Sequence, residues 1–239
     1  MIQAITFDFW DTLFASVHAN ATRCRAIKQV LDHAGHAGFS DEQIEQAIAQ
    51  AWTKWGRVWV EAQRTFGAAR WVDVLLTDLN VSLPGDTRQT LIQTMQTVGT
   101  EGGPSLLDGV ANLLPRLAQR YRLAVICDTG LSPGWLLRQR IEACGLFDCF
   151  GHLTFSDELG VSKPHPDAFL TTLARLGVAP ECAVHIGDYP RTDIAGAQGV
   201  GMRAIRFTGA YDRPDDSIQA DAVIASYSEL EPLLERWDR

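Results

Sequence analysis

The chain begins with a carboxylate placed where open α/β folds carry out their chemistry. Residues 2–7 form a short apolar segment that predicts a buried strand, and Asp8 follows it directly. In open sheets of parallel strands, ligands bind beyond the carboxyl ends of the strands. Asp8 is therefore a candidate nucleophile, and the hydroxyl of Thr12 is a candidate donor to an anionic substrate. Each residue also has a structural explanation, since Asp and Thr commonly cap turns and helices.

A second group of carboxylates follows a later predicted strand at residues 183–186. Asp188 comes directly after Gly187, and Asp193 lies five residues further on, at the predicted start of a helix. Two hard carboxylates at one strand end suit Mg²⁺, which takes one or two protein carboxylates and leaves room for water and a phosphoryl oxygen. Asp193 is equally placed to cap the helix, and the two roles are compatible. His185 is predicted to be a strand residue held by packing.

The third candidate is a cation. Lys163 lies in residues 160–166, Gly-Val-Ser-Lys-Pro-His-Pro, where two prolines prevent a helix from continuing and hold the lysine on a rigid loop. An isolated lysine is usually a solvated surface charge. A lysine held rigidly after a strand can instead neutralise an anionic nucleophile and its substrate.

Strand-like and helical segments alternate in one part of the chain and not in another. Short apolar or β-branched runs predict strands at residues 2–7, 123–127, 153–156, 183–186, 203–207 and 222–224. Segments with 3.6-residue periodicity separate them, at 110–120, 135–143, 167–176 and 193–198. This alternation predicts a parallel sheet covered on both faces. Residues 16–99 instead predict helices only, at 23–34, 41–55, 68–79 and 87–98. The predicted core is therefore residues 1–15 and 100–239, with a helical insertion at 16–99.

Composition narrows the class of function. The 239-residue chain has a net charge of -8 and no stripe of Lys or Arg, so neither nucleic acid nor an anionic membrane is a natural partner. Its five cysteines lack CxxC spacing, which favours reduced thiols over a disulfide framework or a zinc site. No leader pattern or membrane-spanning apolar stretch is evident. We predict a cytoplasmic protein that acts on a small molecule as a monomer or homodimer.

Four motifs occur in the order and at the strand ends seen in the haloacid dehalogenase-like hydrolases, which the sequence closely resembles. They are Asp8-x-x-x-Thr12, Cys127-Asp128-Thr129-Gly130, Lys163-Pro164 and Gly187-Asp188-x-x-x-x-Asp193. The resemblance covers nearly the whole chain, including the inserted helices. It implies an α/β fold with a Rossmann-like parallel sheet core and an inserted α-helical cap domain that selects the substrate. It also implies that Asp8 is a nucleophile that forms a covalent ester intermediate.

The leading interpretation is a Mg²⁺-dependent phosphatase acting on a small phosphorylated metabolite. Asp8 attacks phosphorus, while Asp8, Asp188 and Asp193 hold Mg²⁺. Lys163 and Thr12 bind the phosphate, and Lys163 is also a catalytic residue. The remaining predicted substrate-binding residues lie beside these motifs and are Trp10, Cys127, Asp128 and Thr129. Cys127 stands where the family has Ser or Thr and is a poorer donor to a substrate oxygen.

Trp10 departs from the phosphatases of this family. They carry at this position an Asp that protonates the leaving group and then activates water, a contribution of ~10²- to 10⁴-fold. An indole N–H cannot act as a base. Asp11 or a cap residue is predicted to replace the missing group, unless the leaving group is good enough to need none.

Trp10 also supports alternatives to the phosphatase. The L-2-haloacid dehalogenases of the superfamily carry an aromatic residue there and work without metal, so a metal-free 2-haloacid dehalogenase is one alternative. Those enzymes lack the pair seen here as Gly187-Asp188. A catalytically weak domain that binds a phosphorylated ligand or a protein is another alternative. A carbon–phosphorus hydrolase is the third alternative, for which only Lys28 and Lys54 are candidates for the required cap lysine.

Overall fold

A computed structural model describes residues 1–17, 19–98 and 105–238 of the chain. The chain divides into two compact units. The sheet unit comprises Met1–Ser16, Ser105–Asp128 and Gly134–Arg239, and the helical unit comprises Val17–Pro104 and Thr129–Pro133. The boundary predicted at residues 99 and 100 lies outside the described residues.

The sheet unit contains a six-stranded parallel sheet. Its strands are β1 (Ala4–Phe7), β2 (Arg122–Cys127), β3 (Phe150–Phe155), β4 (Ala183–Gly187), β5 (Arg203–Phe207) and β6 (Ala222–Ile224). Their spatial order is β3-β2-β1-β4-β5-β6, which confirms the predicted Rossmann-like α/β fold. The strand order reverses at β1, where ligands bind in folds of this kind. Phe7 is in register with Val125 of β2 and Ile186 of β4, so these three strands end close together.

The central strands are apolar because both faces of the sheet are covered. Phe7, Val125 and Ile186 belong to one buried cluster, whereas Ala4 and Ala124 belong to a second. Successive side chains of a strand point to opposite faces, so these two clusters lie on the two sides of the sheet. This burial explains why the strands read as continuous apolar runs rather than as alternating ones.

The helical unit contains all four helices predicted between residues 16 and 99. They are α1 (Asn20–His33), α2 (Asp41–Ala62), α3 (Ala68–Asp78) and α4 (Gly85–Thr97). The start of α2 is fixed by a capping box, in which Ser40 and Gln43 satisfy each other's backbone N–H groups. The helices enclose a hydrophobic core of their own that includes Ile27, Ile48 and Trp71.

The described residues of the sheet unit also form six α-helices. They are α5 (Val110–Leu117), α6 (Gly134–Ala143), α7 (Ser156–Leu159), α8 (Pro166–Leu176), α9 (Ala195–Gly199) and α10 (Leu230–Trp237). The prediction of one helix at 193–198 was inexact, because a π-helical turn at Pro190–Ile194 precedes α9. In the part of the chain that the structure describes, no helix has both the length and the apolar character needed to cross a membrane.

Candidate active site

The carboxyl ends of the three central strands each carry an acidic side chain. Asp8 follows β1, Asp128 follows β2 and Asp188 follows β4. Asp8 and Asp188 are buried, and the backbone N–H of Asp8 donates to the carbonyl of Ile186 at 2.8 Å. The strand register therefore places these residues at one edge of the sheet, as the sequence predicted.

Lys163 neutralises two of the carboxylates at this edge. Its Nζ lies 2.5 Å from Oδ1 of Asp8 and 2.7 Å from Oδ1 of Asp193, and the side chain is only 2% exposed. The backbone N–H of Lys163 donates to Oδ1 of Asp128 at 3.0 Å. Asp128, predicted as a substrate-binding residue, thus anchors the lysine loop to the end of β2.

Asp193 is held by more than the lysine. It lies within the π-helical turn, and its Oδ2 accepts the backbone N–H of Tyr189 at 2.9 Å. Its Oδ1 also accepts from Nε2 of His185 at 3.1 Å. The alternative role predicted for Asp193, a side-chain cap of the following helix, was wrong, because the N-cap residue of α9 is Ile194.

His185 is a buried strand residue packed against Phe169, as predicted, and it also makes two side-chain hydrogen bonds. It is fully buried and is in register with Thr6 of β1, whose Oγ1 lies 2.8 Å from its Nδ1. We assign the neutral tautomer in which Nε2–H donates to Asp193 and Nδ1 accepts from Thr6, since both contacts are then satisfied. Burial lowers the pKa of His185 and favours this neutral form. Thr6 and His185 thus form a chain of hydrogen bonds that ends on Asp193.

The pKa values of the three buried carboxylates are shifted in different directions. Burial raises the pKa of Asp8 well above its ordinary value, against the opposing charge of Lys163. Burial also acts to raise the pKa of Asp193, but Lys163 and the hydrogen bond from His185 outweigh it and hold that pKa below its ordinary value. Burial first, and the charge of Asp193 second, raise the pKa of Asp188 to about 7. Asp193 is therefore a permanent anion, whereas Asp188 needs added positive charge to stay ionised at neutral pH.

Arg213, which sequence analysis missed, acts against this rise in the pKa of Asp188. Its guanidinium contacts Asp188 and also donates to Oδ2 of Asp11 at 3.1 Å. Oδ1 of Asp11 accepts the backbone N–H of Ser16 at 2.9 Å. Both oxygens of Asp11 thus act as acceptors, whereas a general acid must donate a proton. Arg213 lies between β5 and β6 in a segment without periodicity, so nothing in the pattern singled it out.

Three carboxylates form a group suited to a metal ion. Asp8, Asp188 and Asp193 each offer one oxygen atom, and these atoms all lie within 4.8 Å of one another. All three are buried, and hard carboxylate oxygens are the donors that Mg²⁺ prefers. A β-carbon at Gly187 would overlap the carboxyl group of Asp193, so the glycine allows that group to approach the strand end. The donor set fits Mg²⁺.

The sequence, compared with known families, matches the haloacid dehalogenase-like hydrolases over residues 2–201. The chain belongs to this family. It is 26% identical over 228 residues to a glyceraldehyde 3-phosphate phosphatase of Methanopyrus kandleri, covering 91% of each chain. It is 29% identical over 237 residues to a phosphoglycolate phosphatase of Pectobacterium atrosepticum, covering 98% of this chain and 92% of that one.

A solved structure is also similar. The crystal structure of a 2-haloacid dehalogenase from Pseudomonas syringae superposes with a TM-score of 0.75 at 28% identity, covering 99% of this chain and 100% of that one. This chain is thus a haloacid dehalogenase-like enzyme, and the phosphatase names of its relatives favour a phosphatase over a dehalogenase.

The turn after β1 places the remaining motif residues of this haloacid dehalogenase-like hydrolase. Asp11 adopts a φ of 55°, and its N–H donates to the carbonyl of Phe14 at 2.7 Å, which closes the turn. The buried Thr12 hydroxyl has no hydrogen-bond partner among the described residues, although its carbonyl accepts from Tyr227 at 2.6 Å. Trp10 is half-buried and packs edge-on against Phe9. Thr12 therefore retains a hydroxyl available to a ligand.

The motif after β2 divides between the two units of the hydrolase. Cys127 is buried at the end of β2, where burial raises the pKa of its thiol well above the ordinary value. A protonated, buried thiol is a poor nucleophile, as the sequence indicated. Thr129 is buried and groups with the helical unit rather than with the sheet unit.

Proposed function

We propose that this hydrolase is a Mg²⁺-dependent phosphatase that acts on a small phosphorylated metabolite through an aspartyl-phosphate at Asp8. The observation that carries the proposal is the pairing of a buried carboxylate trio with Lys163, which suits a nucleophile, a metal and an anionic substrate at one strand end. The names of the two phosphatase relatives support a small phosphate ester as the substrate.

In the proposed reaction, an oxygen of Asp8 attacks phosphorus and the ester P–O bond breaks. The leaving alkoxide or aryloxide takes a proton, and water then attacks phosphorus, which releases phosphate and restores the Asp8 carboxylate. Lys163 orients Asp8 and opposes the rise of its pKa on burial, and Thr12 donates its hydroxyl to the phosphoryl group. Mg²⁺, held by Asp8, Asp188 and Asp193, would supply positive charge to the phosphoryl oxygens.

The site has no evident donor of a proton to the leaving group among the described motif residues. Trp10 cannot supply it, and Asp11 accepts two hydrogen bonds. We therefore expect aryl phosphates, whose leaving groups need little protonation, to react faster than alkyl phosphates. If Asp11 is the acid, as the sequence suggested, Asp11→Asn will lower the rate with alkyl phosphates far more than with aryl phosphates. Equal loss with both substrates would exclude that role.

The test of the proposal is hydrolysis of an aryl phosphate with and without Mg²⁺. We expect phosphate release to require Mg²⁺, to stop in chelator, and to disappear in Asp8→Asn and Asp188→Asn. Asp148→Asn is the matched control, since it removes an exposed carboxylate of the sheet unit outside the site. Full activity in chelator would overturn the metal requirement, and full activity of Asp8→Asn would overturn the nucleophile.

A metal-free 2-haloacid dehalogenase is the second candidate. Two observations favour it: the aromatic Trp10 beside the nucleophile, and the similarity to the dehalogenase structure from Pseudomonas syringae. Chloride release from 2-chloropropionate in chelator, lost in Asp8→Asn, would establish it. Protein that binds Mg²⁺ and phosphate but hydrolyses neither substrate would instead support a domain that only binds a phosphorylated ligand.

We further propose that the helical unit is the cap that selects the substrate, and that the protein works in the cytoplasm. All five cysteines are free, which is compatible with a reducing compartment. Exchange of the helical unit for that of a relative should change the preferred phosphate ester. Unchanged preference would contradict its role as a cap.

A further inference from the structure

Arg213 joins two carboxylates that come from different strand ends. One guanidinium nitrogen contacts Oδ2 of Asp188, which follows β4. The other lies 3.1 Å from Oδ2 of Asp11, which lies in the turn after β1. A planar guanidinium suits such a bridge, because its donors are arranged in a fixed fork. The loop between β5 and β6 thus places a positive charge at the proposed metal site.

The charge of Arg213 falls on the member of the carboxylate trio that Lys163 does not contact through a salt bridge. Lys163 forms ion pairs with Asp8 and Asp193, whereas Asp188 pairs with Arg213. A divalent cation bound by the trio would also neutralise Asp188. A carboxylate oxygen that accepts from a guanidinium has less electron density to offer a metal, and two cations at one carboxylate repel each other.

Arg213 is also placed so that it can leave. Its side chain is 35% exposed, and its guanidinium lies 5.8 Å and 5.0 Å from the ring centroids of Tyr189 and Tyr211. Aromatic faces attract a guanidinium without a carboxylate. Departure from Asp188 would therefore move the charge towards solvent and these rings, rather than leave it buried and unpaired.

We propose that Arg213 is an internal competitor of the divalent cation: it pairs with Asp188 and Asp11, must leave Asp188 when the cation binds, and so sets the affinity of the site. The inference rests on the proposed function, because competition requires that the trio bind Mg²⁺.

The test is titration of the full-length protein with Mg²⁺ by calorimetry, which needs no turnover. We expect Arg213→Gln to bind Mg²⁺ about tenfold more tightly than the wild type, because the competing charge is gone. Arg213→Lys should fall between them, since it keeps the charge but loses the fork. Arg191→Gln is the matched control, because it also removes a positive charge near this loop. Arg191 is exposed and pairs with Asp215, which lies on the same loop as Arg213.

Each outcome decides the inference. Equal affinity of the wild type and Arg213→Gln, or an equal gain in Arg191→Gln, overturns the competition but leaves the phosphatase proposal intact. No Mg²⁺ binding by the wild type, Arg213→Gln or Arg213→Lys overturns both. Thermal melting of each variant without Mg²⁺ shows that it is folded. If Arg213→Gln does not fold, tighter binding by Arg213→Lys than by the wild type supports the inference, and equal binding overturns it.

Discussion

Two basic side chains form salt bridges at the same strand ends, and they differ in how deeply they are buried. Lys163 lies beneath the site, is 2% exposed and contacts Asp8 and Asp193. Arg213 lies at the rim, is 35% exposed and contacts Asp188 and Asp11. Removing a buried partner leaves a charge without compensation, whereas a partly exposed one is replaced by water or a solvated ion. We therefore expect Lys163 to stay in place when a ligand binds, and Arg213 to be exchangeable.

The carboxylates differ in the same way. Asp193 is held by Lys163, His185 and the N–H of Tyr189, and its lowered pKa favours the ionised form. Asp188 forms a salt bridge with the more exposed Arg213, and burial raises its pKa to about 7. We call Lys163, Asp8 and Asp193 the inner half of the site, and Arg213, Asp188 and Asp11 the outer half. We infer that the inner half holds the proposed nucleophile Asp8 in position and that the outer half responds to the cation that binds.

The largest expected effect is on the inner cation. Lys163→Met leaves Asp8 and Asp193 buried without their common partner, and we expect a loss of about 3–5 kcal/mol in the free energy of unfolding at neutral pH. Arg213→Gln should cost less, because Asp188 has a pKa of about 7 and can take up a proton when its partner is removed. Urea denaturation of both variants measures the difference. Equal losses would remove the distinction between the two halves.

The next prediction concerns pH, where the two carboxylates should behave oppositely. The pKa of Asp188 is raised from 3.8 to about 7 in the folded protein, so its contribution to stability is full below about pH 4 and is lost as the pH rises through 7. Without metal, Asp188→Asn should therefore melt above the wild type at pH 8, and this gain should shrink towards pH 4.

Asp193 has the opposite sign. Its pKa is lowered on folding, so its contribution is present at neutral pH and is lost only as the pH falls below its ordinary value. Asp193→Asn should melt below the wild type at pH 8. Melting temperatures of both variants between pH 4 and pH 8 test the contrast. Shifts of the same sign at pH 8 would contradict it.

The last prediction concerns the hydrogen bonds that His185 makes with Asp193 and Thr6. His185→Phe removes the donor to Asp193 and the acceptor for Thr6, and should cost about 1–3 kcal/mol. Thr6→Val removes only the second contact and should cost about 1 kcal/mol. The double variant should lose less than the sum, because the two residues share one hydrogen bond. Strict additivity, measured by urea denaturation, would show that they do not act as a chain.

Sequence reasoning reached the strands, most of the helices and the charged residues Asp8, Lys163, Asp188 and Asp193. Asp8 and Asp188 follow apolar runs, and the prolines around Lys163 signal a rigid loop, so local pattern marks these residues as candidates. Their roles were assigned from the resemblance to the family. The partner of His185 was missed because a strand pattern does not reveal which residue of the neighbouring strand is in register with it. Arg213 was missed because it lies in a loop without periodicity, and the sequence of such a loop does not indicate which residues its side chains contact.

Mass spectrometry after turnover in water labelled with heavy oxygen tests the central claim most directly. With an aryl phosphate and Mg²⁺, we expect the heavy oxygen to enter the released phosphate, because water attacks phosphorus, and the Asp8 peptide to remain unlabelled. A dehalogenase would have water attack the carboxyl carbon of the ester intermediate. Heavy oxygen in Asp8 after turnover of 2-chloropropionate in chelator, with no phosphate released from the aryl ester, would contradict the account.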